Sequence, residues 1–118
     1  MLYKQIVIYK SFKRAKVNTL IQLSKIFSDK NRLLIITLLL RDKALCVCEI
    51  CDTLELSQPL VSRHLKQMKE AGVLEAAKEK KWVIYTLTTM PHPFLQTLLN
   101  ELQKEVSNLP TIITCNKN

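Results

Sequence analysis

At 118 residues the chain has room for one domain, and a domain of this size buries only about two-thirds of its unfolded surface, so a core shared with a second copy is expected. Eighteen Lys and Arg against ten Asp and Glu leave a net charge of +8, which points to nucleic acid or an anionic membrane as partner. The longest apolar run, Leu33 to Leu40 broken only by Thr37, falls far short of the ~20 residues of a membrane span and reads as a buried helix.

The positive charge is unevenly placed. Residues 1–16 hold Lys4, Lys10, Lys13, Arg14 and Lys16 with no acid, and read as a basic N-terminal extension. No small-residue cleavage site follows the short "IVIY", so no secretory signal is expected and a cytoplasmic location follows. In that reducing compartment four cysteines read as thiols or metal ligands rather than as a disulfide framework.

Val17, Leu20, Ile21, Ile26 and Phe27 recur at helical spacing and predict a first helix over residues 17–28. Asp29 suits an N-cap for the next helix, "KNRLLIITLLL", whose apolar character on most sides marks a central element. Arg41, Asp42 and Lys43 are expected to end it in solvent. Apolar residues at 47, 50, 51 and 54 then predict a short amphipathic helix.

Ser57 is placed to cap the following helix, Pro59 sits in its first turn, Val61, Leu65 and Met68 line one face, and Gly72 offers a left-handed stop. Two helices joined so closely suggest a helix-turn-helix. Val73 to Ala77 and Trp82 to Leu87 flank a lysine-rich tip and predict a β-hairpin, with Trp82 and Tyr85 as packing residues in its second strand. After Pro91 and Pro93, Leu95, Leu98, Leu99, Leu102 and Val106 form a last helical stripe, and the tail beyond Pro110 is expected to fray. The fold class is therefore mainly α with a β-hairpin wing, a winged helix-turn-helix in the order α-α-α-α-β-β-α over residues 17–108, with residues 109–118 as a C-terminal tail.

On the helix after Ser57, the positions away from the apolar stripe are Gln58, Ser62, Arg63, Lys66 and Lys69. Gln pairs with adenine and Arg with guanine in a major groove, while Ser and Lys more often hold phosphates, so this face mixes specifying with positioning contacts. His64 has a donor for a phosphate, and Lys78, Lys80 and Lys81 suit a wing along the backbone or in a minor groove. The candidate DNA-binding set is Ser57, Gln58, Ser62, Arg63, His64, Lys66, Lys80 and Lys81. The plainer reading of the helix positions is a solvated face, against which the preceding helix and the hairpin weigh; for the wing lysines the plainer reading is stronger, since lysines at loop tips are commonplace.

Cys46, Cys48 and Cys51 form C-x-C-x-x-C just ahead of this unit. On one regular helix Cys48 and Cys51 share a face, whereas Cys46 and Cys48 stand about 200° apart, so the three converge only if Cys46 precedes the helix or its first turn unwinds. Three soft thiolates favour As(III), Sb(III), Pb(II) or Cd(II) over hard cations, and a closed zinc site would need a fourth ligand. Cys115, in the tail, is distant in sequence. The competing reading is that Cys is a small apolar residue, which carries most weight for Cys51 in its apolar stripe. A dithiol enzyme is a further rival, but the βαβ setting of a thioredoxin-like site is missing, so no enzymatic activity is expected.

"LCVCEIC" followed by "SQPLVSRHLKQMKEAGVLEAAKEKKWVIYTL" resembles the arsenic-responsive branch of the ArsR/SmtB family of winged-helix repressors, and "FSDKNRLLIITLLL" resembles that family's preceding helices. The resemblance covers roughly residues 18–105. It implies a homodimer joined through its first and last helices on operator DNA with an inverted repeat, released when As(III) or Sb(III) binds Cys46, Cys48 and Cys51 as inducer, with no organic cofactor. It also implies that Gln58, Ser62, Arg63 and His64 read the DNA. A thiol redox sensor, or a Cd(II) or Pb(II) sensor, on the same fold is the alternative. Here Glu55 and Leu56 occupy a turn where many relatives have Gly, and the wing tip has none. His92, between two prolines, reads as structural or incidental rather than as a metal ligand.

Overall fold

The computed structural model describes residues 17–113. The basic extension over residues 1–16, residues 114–118 and with them Cys115 lie outside the described residues. The element order is a helix over residues 17–26 (α1), α2 (Lys30–Asp42), β1 (Ala44–Cys46), α3 (Val47–Leu54), α4 (Gln58–Glu70), β2 (Leu74–Glu79), β3 (Trp82–Leu87), α5 (Pro93–Gln103) and a 3-10 turn, Val106–Asn108.

α2 is the centre of the fold. Asp29 caps it as expected, its Oδ1 accepting from the N–H groups of Asn31 and Arg32 at 2.9 and 3.1 Å. Ile35, Ile36, Leu38 and Leu39 are fully buried, and Thr37 Oγ1 donates to the Leu33 carbonyl at 2.7 Å, so even the polar residue in this run is satisfied within the core. Each large apolar side chain so buried stabilises the fold by about 1.5–3 kcal/mol, which is why an otherwise unremarkable helix organises everything around it. α5 packs directly on α2, α3 lies between α2 and α4, and Leu23 and Ile26 of α1, Leu95 and Leu99 of α5 and Val61, Leu65 and Met68 of α4 share one core with it.

The chain leaves α2 through Lys43, whose φ of 72° makes a sharp reversal, and enters β1. This strand is absent from the sequence expectation. Three residues carry no readable alternation; they become a strand because Ala44, Leu45 and Cys46 pair with Thr86, Tyr85 and Ile84 of β3. The wing is accordingly a three-stranded antiparallel sheet in the order β1-β3-β2 rather than a lone hairpin. Its first hairpin strand runs Leu74–Glu79, one residue later at the start and two later at the end than the apolar pattern suggested.

Gly72 does end α4 as a left-handed residue, φ 78°, and the Val73 N–H reaches back to the Met68 carbonyl at 2.9 Å. Ser57 sits at the N-cap position of α4 without a side-chain cap hydrogen bond. Arg41 and Asp42 pair with each other at 2.9 Å and are half-buried rather than solvated, because Arg41 also donates to the Leu109 carbonyl at 3.3 Å. The segment after Pro110 does not fray up to its last described residue: Ile112 packs against the core, and the Ile113 N–H donates to Thr53 Oγ1 at 2.8 Å. His92 has a structural role, capping α5 by accepting from the Phe94 N–H at 3.1 Å.

Candidate functional site

α3 has only eight residues, too few to hold a helix in water on its own. It is kept in place by burying Ile50 and Cys51 and by polar contacts near both ends: the buried Glu49 carboxylate accepts from the Cys46 N–H at 3.0 Å, and Thr53 Oγ1 accepts from the Ile113 N–H. Cys46 is thus the last residue of β1 and the N-cap of α3 at once, with φ −91° and ψ 168°. The extended backbone lifts Cys46 out of the helical progression that would have turned it away from Cys48, and the two sulfurs lie 3.4 Å apart. Two metal–sulfur bonds of about 2.3 Å easily span that gap, so one soft atom fits between these two donors.

Cys51 follows on the same face of α3 as Cys48 but is buried among Ile50 and the core apolar residues. Burial pushes its thiol above its ordinary pKa, and the neighbouring Asp52 charge adds to the effect. Among the described residues no group of three or more His, Cys, Asp or Glu is preassembled to hold a metal ion. The cluster is therefore a pair with a third sulfur one helical turn away, and closing it needs movement in α3. Cys46 and Cys51 are free thiols, whereas Cys48 is disulfide-bonded, so a three-thiolate site belongs to the reduced protein.

Directly behind the cluster, the turn from α3 to α4 is made by Glu55 in the left-handed region, φ 56° and ψ 46°. α4 then presents Gln58, Ser62, Arg63 and Lys66 to solvent on one side, with Ser57 exposed at its start. Val61, Leu65 and Met68 are fully buried on the other. At the wing tip Lys80 and Lys81 form a two-residue turn and are exposed; Lys80 has φ 58°, the sign that a type II′ turn requires at its first central position. Lys81 Nζ lies 5.5 Å from the centroid of the Trp82 ring, a cation–π contact that steadies the tip.

His64 does not share the exposed face. It is 5% exposed and turned toward the start of α2, where its Nδ1 is 3.4 Å from an Arg32 nitrogen and its Nε2 is 3.8 Å from Asp29 Oδ1. Arginine only donates, so Nδ1 is the acceptor in that approach, and among the described residues the buried Nε2 has no hydrogen-bond partner. Burial holds the His64 pKa below its ordinary value, against the opposing pull of the Asp29 charge.

Two residues of this region escaped the sequence reading. Glu49 had a signal, since a cap position followed three residues later by Glu is the spacing of a capping box, but Cys46 is not a residue type that announces a cap. Arg32 had none: its Nε and one terminal nitrogen donate to the carbonyls of Ile26 and Lys25 at 2.9 and 2.8 Å, and the other donates to Gln67 Oε1 at 3.0 Å, contacts that exist only after folding.

The family described as bacterial regulatory protein, arsR family, matches residues 29–76, which contain α2, the cysteine cluster, the helix-turn-helix and the start of the wing. An arsenical resistance operon repressor of Escherichia coli K12 is 49% identical over 72 residues, covering 61% of this chain and 60% of that protein, so the aligned part spans about three-fifths of the relative's length. A cadmium resistance transcriptional regulatory protein, CadC of Listeria innocua, is 35% identical over 82 residues, covering 70% of this chain and 69% of its own. Among solved structures, HlyU of Vibrio cholerae N16961 superposes with a TM-score of 0.65 at 29% identity, covering 75% of this chain and 92% of that one. With its winged helix-turn-helix and these relatives, the chain belongs to the arsR family of bacterial regulatory proteins, a family of transcriptional regulators and not of enzymes.

Proposed function

We propose that this protein is a metalloid-responsive repressor that grips operator DNA as a dimer and lets go when As(III) or Sb(III) is captured by Cys46, Cys48 and Cys51. The observation that carries the reading is the 3.4 Å approach of the Cys46 and Cys48 sulfurs at the entrance to the helix that precedes the recognition helix. The relatives named for arsenical and cadmium resistance support a thiophilic ligand over a hard cation. An exposed apolar strip on α1, with Val17 and Ile21 nearly half exposed, supports a dimer seam there.

The geometry supplies a mechanism. Bringing Cys51 to the Cys46–Cys48 pair draws on the first turn of α3, where Glu49 holds the Cys46 N–H and Ile50 is fully buried. α3 packs on α4, so the movement is passed to Gln58, Ser62, Arg63 and Lys66 at the DNA face. A switch from one state to the other needs a differential of about 5.5 kcal/mol, which sulfur bonds to a semimetal can supply. We leave His64 out of the DNA contacts because its ring is buried against Asp29 and Arg32.

A gel-shift titration of the reduced protein on DNA selected from its own promoter region tests the reading, with Sb(III), Cd(II) and Pb(II) as parallel arms. Release by As(III) in the wild type and none in Cys46→Ser supports it; DNA binding indifferent to As(III) overturns it. The disulfide at Cys48 favours a second reading, thiol redox sensing. Peroxide releasing DNA while As(III) does not would select that one.

A further inference from the structure

Arg32 joins three helices through one side chain. Its Nε and one terminal nitrogen close off the last carbonyls of α1 at Ile26 and Lys25, and its other terminal nitrogen reaches Gln67 and His64, neighbours one turn apart on the inner flank of α4. The base of the side chain is fixed as well, since the Arg32 N–H donates to Asp29 Oδ1 at 3.1 Å. A guanidinium is planar and its donors diverge at fixed angles, so this arrangement sets both the distance and the direction between the end of α1 and the recognition helix. The residues next to Gln67 and His64 on α4, Arg63 and Lys66, are exposed members of the candidate DNA face.

We infer that Arg32 is a positioning residue that fixes the recognition helix relative to α1 and thereby determines which separation of DNA half-sites the protein accepts. The inference rests on the proposal that α1 contributes to a dimer seam on DNA. In a two-fold dimer each recognition helix is carried at a set offset from the seam, and half-sites about one helical turn apart are matched only if that offset is held. Arg32 is the described side chain that ties the α1 carbonyls directly to polar groups on α4, so loosening it frees the offset while leaving the base-contacting side chains in place.

The test is selection of binding sites from a random-sequence duplex pool by the full-length wild type, Arg32→Lys and Gln67→Ala. Lysine keeps the charge but lacks the fork. Gln67 is exposed, so its truncation removes the shorter of the two Arg32 contacts on α4, leaving the 3.4 Å approach to His64, without threatening the fold. The wild type is expected to return inverted repeats dominated by one half-site separation. Both variants are expected to return the same half-site sequence with the separation spread over neighbouring values, the ratio of the dominant to adjacent spacings falling about tenfold for Arg32→Lys and less for Gln67→Ala. A general weakening of the fold would lower recovery without broadening the spacing. A wild-type optimum kept unchanged in both variants overturns the inference while sparing the dimer proposal; a wild type with no preferred spacing overturns both.

Discussion

The sulfur of Cys46 lies 3.4 Å from that of Cys48 although the two residues belong to different elements, the end of a strand and the first turn of a helix. A continuous helix would have aimed them about 200° apart. Pairing of β1 with β3 is what holds Cys46 in an extended conformation, so the ligand pair is assembled by the wing sheet as much as by α3. That arrangement places the proposed sensor on the same sheet as the wing and one short helix from the DNA face.

Cys46→Ser and Cys48→Ser are expected to abolish metalloid-induced release while changing DNA affinity by less than about threefold, since neither side chain is on the α4 face. Cys46 and Cys51 are both buried, so Cys46→Ser and Cys51→Ser also put a hydroxyl into a buried site, at a stability cost of roughly 1–3 kcal/mol each. Denaturant unfolding beside the release assay separates the two effects. Cys48→Ser, at the partly exposed position, losing response while keeping stability is the expected pattern.

The DNA face divides by chemistry. Arg63→Ala is expected to cost about 1–3 kcal/mol on the preferred site and to relax discrimination at one base position, whereas Lys66→Ala weakens binding evenly across sequences and lowers the salt slope by about one. Fluorescence anisotropy on matched and mismatched duplexes at several salt concentrations distinguishes these outcomes. Equal, sequence-independent losses for both would remove Arg63 from base readout.

Glu55 occupies the left-handed region in the α3–α4 turn, a conformation that costs an L-residue about 1–2 kcal/mol and glycine almost nothing. After allowing for the greater unfolded-state freedom of glycine, Glu55→Gly is expected to stabilise the protein by about 0.5–1 kcal/mol. For a domain of this size that raises Tm by a few degrees. A lower Tm would show that the Glu55 side chain contributes more than its backbone strain costs.

His64 gives the fold a pH dependence with a definite sign. Its folded pKa is depressed, chiefly by burial, so below about 6.5 the unfolded chain takes up a proton that the folded ring resists. Stability contributed by the neutral ring is present above that value and lost as pH falls through it. Urea midpoints between pH 7.5 and 5 are expected to decline in the wild type and to decline less in His64→Gln. Parallel curves would assign the decline to other groups.

Much of this architecture is legible in the residue pattern. Asp29, Pro59 and Gly72 mark their helix boundaries by chemistry that does not depend on tertiary contacts, and the apolar positions of α2 and α4 are the core positions of the structure. What stayed hidden depends on partners remote in sequence. β1 exists only through β3, the Arg32 contacts span up to 35 residues, and Ile113 docks on Thr53 across 60. His64 was misplaced for a similar reason: on a helix surface it adjoins Arg63, but the side of α4 it occupies faces the start of α2. In the cysteine cluster, the pair was foreseeable as an option and was decided by the strand.

In the proposed switch thiol capture and DNA grip exclude each other, and linkage requires that exclusion to be reciprocal. The most direct measurement is the As(III) affinity of the reduced protein free and saturated with its operator, by calorimetry. Weaker As(III) binding to the DNA complex is expected, by the same factor that As(III) weakens DNA binding. Equal As(III) affinity in both states would contradict it.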